Sequence, residues 1–233
     1  TCRRPPRPSA RAVSLRGAVL CGTGLLVAGV VCAMLAGTAS LYFALFLAVT
    51  ILLYNFSAKR VALAGPLALG LCRFLNVQLG MSAEPNFPPA LSEPALWMTA
   101  YAPALAVGVY AAGMTVFSAQ GESGKQARAV LLGWVFVGGA LALAGSTGKS
   151  PWGWPVLALL AAALLYRTTA LLKLGSPEAA RGLVKTGVLG ICVLDAALIL
   201  AHCGLAAWPY ALAVAAGVVP AMLLGHWLAQ REA

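Results

Sequence analysis

The side chains most suited to chemistry in this sequence are Arg73 and Asn76, three residues apart in the apolar segment GPLALGLCRFLNVQLGMS. Residues at this spacing share one face of a helix, and Gly80 extends the same face. A charge within a membrane-spanning helix costs about 2.5–3.5 kcal/mol on insertion scales, so it usually faces the bundle interior or a wet cavity. The pattern predicts a polar binding site that includes Arg73 and Asn76.

A second intramembrane charge, Asp195 in GICVLDAALIL, is a candidate partner for Arg73. Each residue lies about twelve positions, or roughly 18 Å, into its predicted helix from the same side. Opposite charges at equal depth predict an intramembrane pair of Arg73 with Asp195. The pair either only locks two helices together or lines a substrate cavity, which is the usual role of intramembrane ionisable groups.

Two polar connectors contain further candidates. YNFSAKR, residues 54–60, contains Lys59, a compact cation suited to phosphate, although a basic cap at a helix end explains it equally. FSAQGESGKQAR, residues 117–128, is glycine-rich and contains the carboxylate of Glu122. It is interpreted either as a flexible loop or as a lid that places Glu122 near a metal ion.

The segments that must position these residues are apolar helices. The chain is 61% hydrophobic and 9% charged, with a mean hydropathy of +0.88, which excludes a soluble globular domain. Apolar runs of membrane-spanning length between short polar connectors predict an all-α, polytopic membrane bundle of about eight helices. A basic segment at 1–16 precedes one transmembrane domain at 17–233. The predicted helices are 17–37, 40–56, 61–82, 94–117, 129–145, 155–173, 183–203 and 207–228.

The cations predict the orientation of this bundle. Fourteen of the sixteen Lys and Arg residues fall on one side of the predicted helices, so both termini are predicted to be cytoplasmic. Trp97, Trp152, Trp154 and Trp208 fall on the other side, as in an interfacial aromatic belt. The net charge of +10 is explained by topology and attraction to membrane lipid, or the cationic connectors also gather an anionic substrate. We expect no nucleic-acid partner.

The Tyr, the Lys four or five residues later and the Arg and Asn three apart resemble the UbiA superfamily of intramembrane prenyltransferases. GPLALGLCRFLNVQLGMS and VKTGVLGICVLDAALILAHCG resemble the UbiA-like EboC subgroup more narrowly. The resemblance implies helices around a central cavity in a bacterial inner membrane. It also implies Mg²⁺ held by two aspartate-rich connectors against an isoprenoid diphosphate. Carried over, Lys59 matches the basic residue after the Tyr, and Arg73 and Asn76 match polar cavity positions. The predicted substrate-binding residues are thus Tyr54, Lys59, Arg73, Asn76 and Lys125, with Glu122 as a candidate metal ligand.

The implied function is transfer of a prenyl or polyprenyl group from a diphosphate donor to an aromatic or other small acceptor. The alternative is a non-catalytic EboC-like protein that binds or helps to export a lipophilic secondary-metabolite precursor. The first aspartate-rich motif would lie just before Thr1, so a truncated N-terminus is expected. The second is reduced to Glu122, because the chain has six acidic residues and no DxxD or DxxxD pattern.

Overall fold

The structure, a computed structural model, describes residues 15–58, 61, 63–84, 87, 94–118, 126–220 and 222–223. Helices and short connectors make up this part of the chain, and no strand occurs in it. The prediction of an all-α fold is confirmed. The α-helices are α1 (Leu15–Ala36), α2 (Thr38–Phe56), α3 (Ala64–Met81), α4 (Pro94–Ser118), α5 (Gln126–Ser146), α6 (Gly153–Leu174), α7 (Pro177–Cys203) and α8 (Trp208–Ala216).

Six of these helices are long and apolar enough to cross a membrane: α1, α2, α4, α5, α6 and α7. They fit an integral, multi-pass membrane protein. α3 is less apolar, because Arg73, Asn76 and Gln78 interrupt it. Helical residues follow α8 at 218–220 and 222–223, and residues 221 and 224–228 of the predicted 207–228 lie outside the described residues. The described residues therefore show six spans by length and composition, whereas the sequence predicted eight.

Two helix boundaries differ from the prediction for reasons of backbone chemistry. A single residue, Gly37, separates α1 from α2, and its φ of 149° lies in a region that residues with a Cβ rarely adopt. The break therefore lies just before residues 38–39, which the predicted helices 17–37 and 40–56 left between them. α6 ends at Gly175, with φ 59°, and the Ser176 side chain caps α7 by accepting a hydrogen bond from the Ala179 N–H. α7 consequently begins at Pro177, six residues before the predicted start.

α4 is the central helix of the bundle. It packs against α3, α5 and α7, and 67% of its membrane-length segment is buried, compared with 6% for α1. The core is filled by side chains of α4, α5, α6 and α7, and its large buried members include Tyr110, Met114, Phe117, Leu164, Leu171, Leu183 and Leu194. The open spaces that concern function therefore lie beside α3, outside this packed core.

Candidate functional site

The position of α3 is fixed by a close glycine contact with α4. A Cβ added to Gly70 would lie 2.6 Å from the Gly108 carbonyl oxygen, and one added to Gly108 would lie 2.9 Å from the Gly70 carbonyl oxygen. Small residues at such a crossing allow two backbones to approach closely, which is a common way of packing helices in membranes. The Gln78 amide Nε2 also donates to the Ala100 carbonyl oxygen at 3.1 Å. α3 and α4 therefore run antiparallel in a fixed register.

Arg73 and Asn76 are exposed on one flank of α3. Successive residues of a helix are about 100° apart around its axis. Arg73 and Asn76 therefore lie on one side of Gly70, whereas Leu71 and Phe74 lie on the other side, towards α5. The sequence predicted that Arg73 and Asn76 would be enclosed within the bundle, and their exposure differs from that prediction. The reason is that Gly70 and Val77 occupy the side of α3 that meets α4 and the core.

Asp195 lies at the same level of the bundle as Arg73. Gly70 meets Gly108 of α4, whereas Gly187 and Gly190 of α7 meet Met114 and Tyr110 of α4. Both α3 and α7 run antiparallel to α4, so counting along each helix places Arg73 and Asp195 near the level of Leu105. The equal depth inferred from sequence therefore agrees with the register of the three helices.

The two charges attract each other without forming a direct ion pair. Asp195 is half-buried and has a favourable Coulombic interaction with the Arg73 guanidinium. Among the described residues, Arg181 and Glu178 form an ion pair with an N–O distance of 4.0 Å. Arg73 and Asp195 are farther apart than this. α3 and α7 both pack on α4 and contact each other at most slightly. We refer to the surface formed by Arg73, Asn76 and Asp195, with α4 between α3 and α7, as the polar groove.

The other predicted site residues are not brought into this groove by the described structure. The Ser82 hydroxyl donates to the Ser40 hydroxyl at 2.9 Å, which fixes the antiparallel register of α2 and α3. This register puts the half-buried Tyr54 near Ala68, roughly 7 Å along the helix axis from Arg73. Lys59, Glu122 and Lys125 lie outside the described residues, so their predicted roles remain predictions.

The opposite flank of α3 borders an apolar cleft that sequence reasoning missed. It has a volume of about 290 Å³ and lies between α3, α4 and α5, lined by Leu67, Gly70, Leu71, Phe74, Leu105, Gly108, Val109, Ala112 and Phe136. Leu67, Leu71 and Leu105 are about half exposed at its rim. The sequence signal was the pair of glycines, Gly70 and Gly108, each within an otherwise bulky apolar helix.

The described residues do not form the metal site that the family resemblance implies. No three His, Cys, Asp or Glu side chains among them lie close enough together to hold a metal ion. Glu122, the predicted ligand, lies outside these residues. The magnesium site that the resemblance implies therefore stays a prediction.

Comparison of the chain with descriptions of known protein families, with curated proteins and with solved structures finds no match.

Proposed function

We propose that this chain is a UbiA-like integral membrane protein that binds an amphiphilic prenyl compound in the polar groove, with the polar group of the compound at Arg73 and Asn76. The observation that carries the proposal is the state of Arg73. It is an exposed cation in the middle of a helix within a membrane bundle, and no carboxylate of the described residues lies within 4.0 Å of it.

If Arg73 and Asp195 only held two helices together, their side chains would be expected to be in direct contact. An intramembrane charge is costly, and direct contact with a carboxylate is the usual way to reduce that cost. Asp195 is instead held at the same level but out of contact, because α3 and α7 are separated on the surface of α4. The gap leaves Arg73 N–H donors free for a ligand, and a phosphate or another anionic group is the acceptor that suits a guanidinium.

Asn76 adds a neutral amide to the same flank of α3, and an amide offers both donors and an acceptor. The groove is bounded by Asp195 on the other side, which favours a ligand with a hydrogen-bond donor facing α7. A ligand with an anionic group facing α3 and a hydrogen-bond donor facing α7 has a polar head group. The surrounding helices are apolar and suit a hydrocarbon chain. An amphiphile satisfies both requirements.

The resemblance to the UbiA superfamily supplies the prenyl class, because Arg73 and Asn76 match polar positions of that family's cavity. Two functions remain as proposals for the bound compound: prenyl transfer to an aromatic or other small acceptor, and EboC-like binding or export. Binding at Arg73 and Asn76 is common to both functions, and it is what the described residues support. No catalytic step is assigned to them.

The test is binding of a fluorescent prenyl diphosphate to the purified protein in detergent and in lipid nanodiscs. Arg73→Met is expected to weaken binding roughly tenfold to hundredfold, because a charge-assisted hydrogen bond is lost. Arg128→Met, at an exposed cation near the start of α5, is the matched control and should leave the affinity unchanged. Equal affinities for Arg73→Met and the parent protein would remove the polar groove as the site.

A second arm separates transfer from carriage. The protein is incubated with a prenyl diphosphate, Mg²⁺ and an aromatic acceptor, and the products are analysed by mass spectrometry. Diphosphate release with a prenylated product supports the transferase. Saturable binding that depends on Arg73, without product, supports the carrier.

A further inference from the structure

The end of the bundle where α5 and α7 begin and α6 ends carries an excess of positive charge. Its exposed cations among the described residues are Arg128, Arg167, Lys173, Arg181 and Lys185. The described acidic residue at the same end is Glu178, whose carboxylate lies 4.0 Å from the Arg181 guanidinium. The positive charges at the remaining positions are therefore not balanced by a neighbouring carboxylate in this part of the chain.

Arg167 and Lys185 are brought together by the tight connection between α6 and α7. Gly175 and Ser176 alone separate these helices, so they pack side by side from this end. The Arg167 Nη1 atom lies 3.7 Å from the position that a Cβ on Gly182 would occupy. Lys185 lies three residues beyond Gly182, and residues at this spacing are neighbours on a helix surface. Two long cationic side chains therefore share one surface of the α6–α7 hairpin.

Arg167 and Lys185 lie at the depth in the bundle where the lipid headgroups of a membrane would meet the acyl chains. Arg167 lies seven residues before the end of α6, and Lys185 lies eight residues after the start of α7, or about 10–12 Å along each helix. Both lie inside segments long and apolar enough to span a membrane. Long cationic side chains at such positions extend towards the headgroup region. Tyr166 and Val188 beside them are 70% and 51% exposed, which provides apolar surface next to the charges.

We propose that Arg167 and Lys185 form a binding site for an anionic phospholipid, with the lipid phosphodiester between the two cations and an acyl chain against Tyr166 and Val188. Basic pockets between membrane helices are suited to anionic headgroups. A guanidinium can donate two hydrogen bonds to phosphate oxygens, and the ammonium group adds a compact charge. The exposed apolar surface favours a lipid over a soluble anion. This site is separate from the polar groove and does not depend on the proposed function.

The test is native mass spectrometry of the detergent-purified protein titrated with phosphatidylglycerol or phosphatidylcholine. Arg167→Gln and Lys185→Gln are each expected to weaken phosphatidylglycerol binding about fivefold, and the double variant about thirtyfold. Phosphatidylcholine binding should not change. The matched control is Arg128→Gln with Lys173→Gln, which removes the same charge from the same end of the bundle. Thermal unfolding of each variant in detergent verifies that the fold is retained.

A selective loss in the Arg167 and Lys185 variants supports the site. An equal loss in the control variant would overturn it, because the attraction would then come from the total charge. Inorganic phosphate distinguishes the source of the anion: displacement of the lipid at equal concentrations of phosphate would show a site for a free anion and would also overturn the proposal. A negative result for the phospholipid site would not bear on prenyl binding at Arg73, since neither Arg167 nor Lys185 borders the polar groove.

Discussion

At the scale of residues, Arg73 and Asp195 show how far charge and spacing can be interpreted. Counting along each predicted helix placed the two at equal depth, and the register of α3 and α7 on α4 agrees. The gap between them could not be inferred from the sequence. It depends on where α3 and α7 sit around α4, and this is set by contacts of Gly70, Gly187 and Gly190 with α4 residues that are distant in sequence.

A double-mutant cycle of Arg73→Met and Asp195→Leu measures the remaining interaction. Charges that are not in contact and lie at least partly exposed are expected to couple by less than about 1 kcal/mol. Each single variant should therefore unfold close to the parent protein, whereas Arg73→Met loses ligand affinity. Reversible unfolding in mixed detergent measures the coupling free energy. The contradicting outcome is a coupling free energy above about 2 kcal/mol, with Arg73→Met strongly destabilised and Asp195→Leu restoring its stability. That result would indicate that the two side chains are in direct contact.

At the scale of elements, the contact of α3 with α4 determines the two surfaces that flank α3. The Gly70–Gly108 crossing leaves the apolar cleft on one flank of α3 and the polar groove on the other. A larger side chain at either glycine would separate the two helices and widen both spaces. The crossing is therefore the point at which packing controls the geometry of Arg73 and Asn76.

Two alanine substitutions on α3 test this contact. Gly70→Ala is expected to destabilise the protein by about 1–3 kcal/mol, because its Cβ would lie 2.6 Å from a backbone oxygen and 3.0 Å from the Ala112 Cβ. Gly80→Ala is the control on the same helix, since no atom lies within 4 Å of its added Cβ. It should be neutral or stabilising by up to about 1 kcal/mol. Equal unfolding free energies for the two variants would show that the crossing does not hold α3 in place.

Much of the helical architecture follows from the sequence, and the exceptions have local causes. Apolar runs between polar connectors predicted each helix, because burial in lipid requires backbone groups to be satisfied within the segment. The start of α7 was missed although Ser176 and Pro177 form a favourable helix start. Arg181 therefore fell outside the predicted helix 183–203, whereas it lies in the first turns of α7. The apolar cleft was missed because Gly70 meets Gly108 only in the folded bundle.

At the scale of the whole molecule, most of the described cations and three of the tryptophans lie at opposite ends of the bundle. Arg128, Arg167, Lys173, Arg181 and Lys185 occupy one end. Trp152, Trp154 and Trp208 lie at the other end and are about half exposed, as side chains at a membrane interface are. The polar groove lies between the two ends. Which end faces the cytoplasm determines the compartment from which a water-soluble substrate or acceptor would approach.

Cysteine labelling tests the predicted orientation. All six native cysteines are replaced, and single cysteines are placed at Lys149, in the connector between α5 and α6, or at Lys173, in the last turn of α6. Because cationic ends of membrane bundles favour the cytoplasm, a membrane-impermeant maleimide should label Lys149→Cys in intact cells. It should label Lys173→Cys only after the membrane is permeabilised. The reverse pattern would invert the bundle and place both the phospholipid site and the start of α3 on the far side of the membrane.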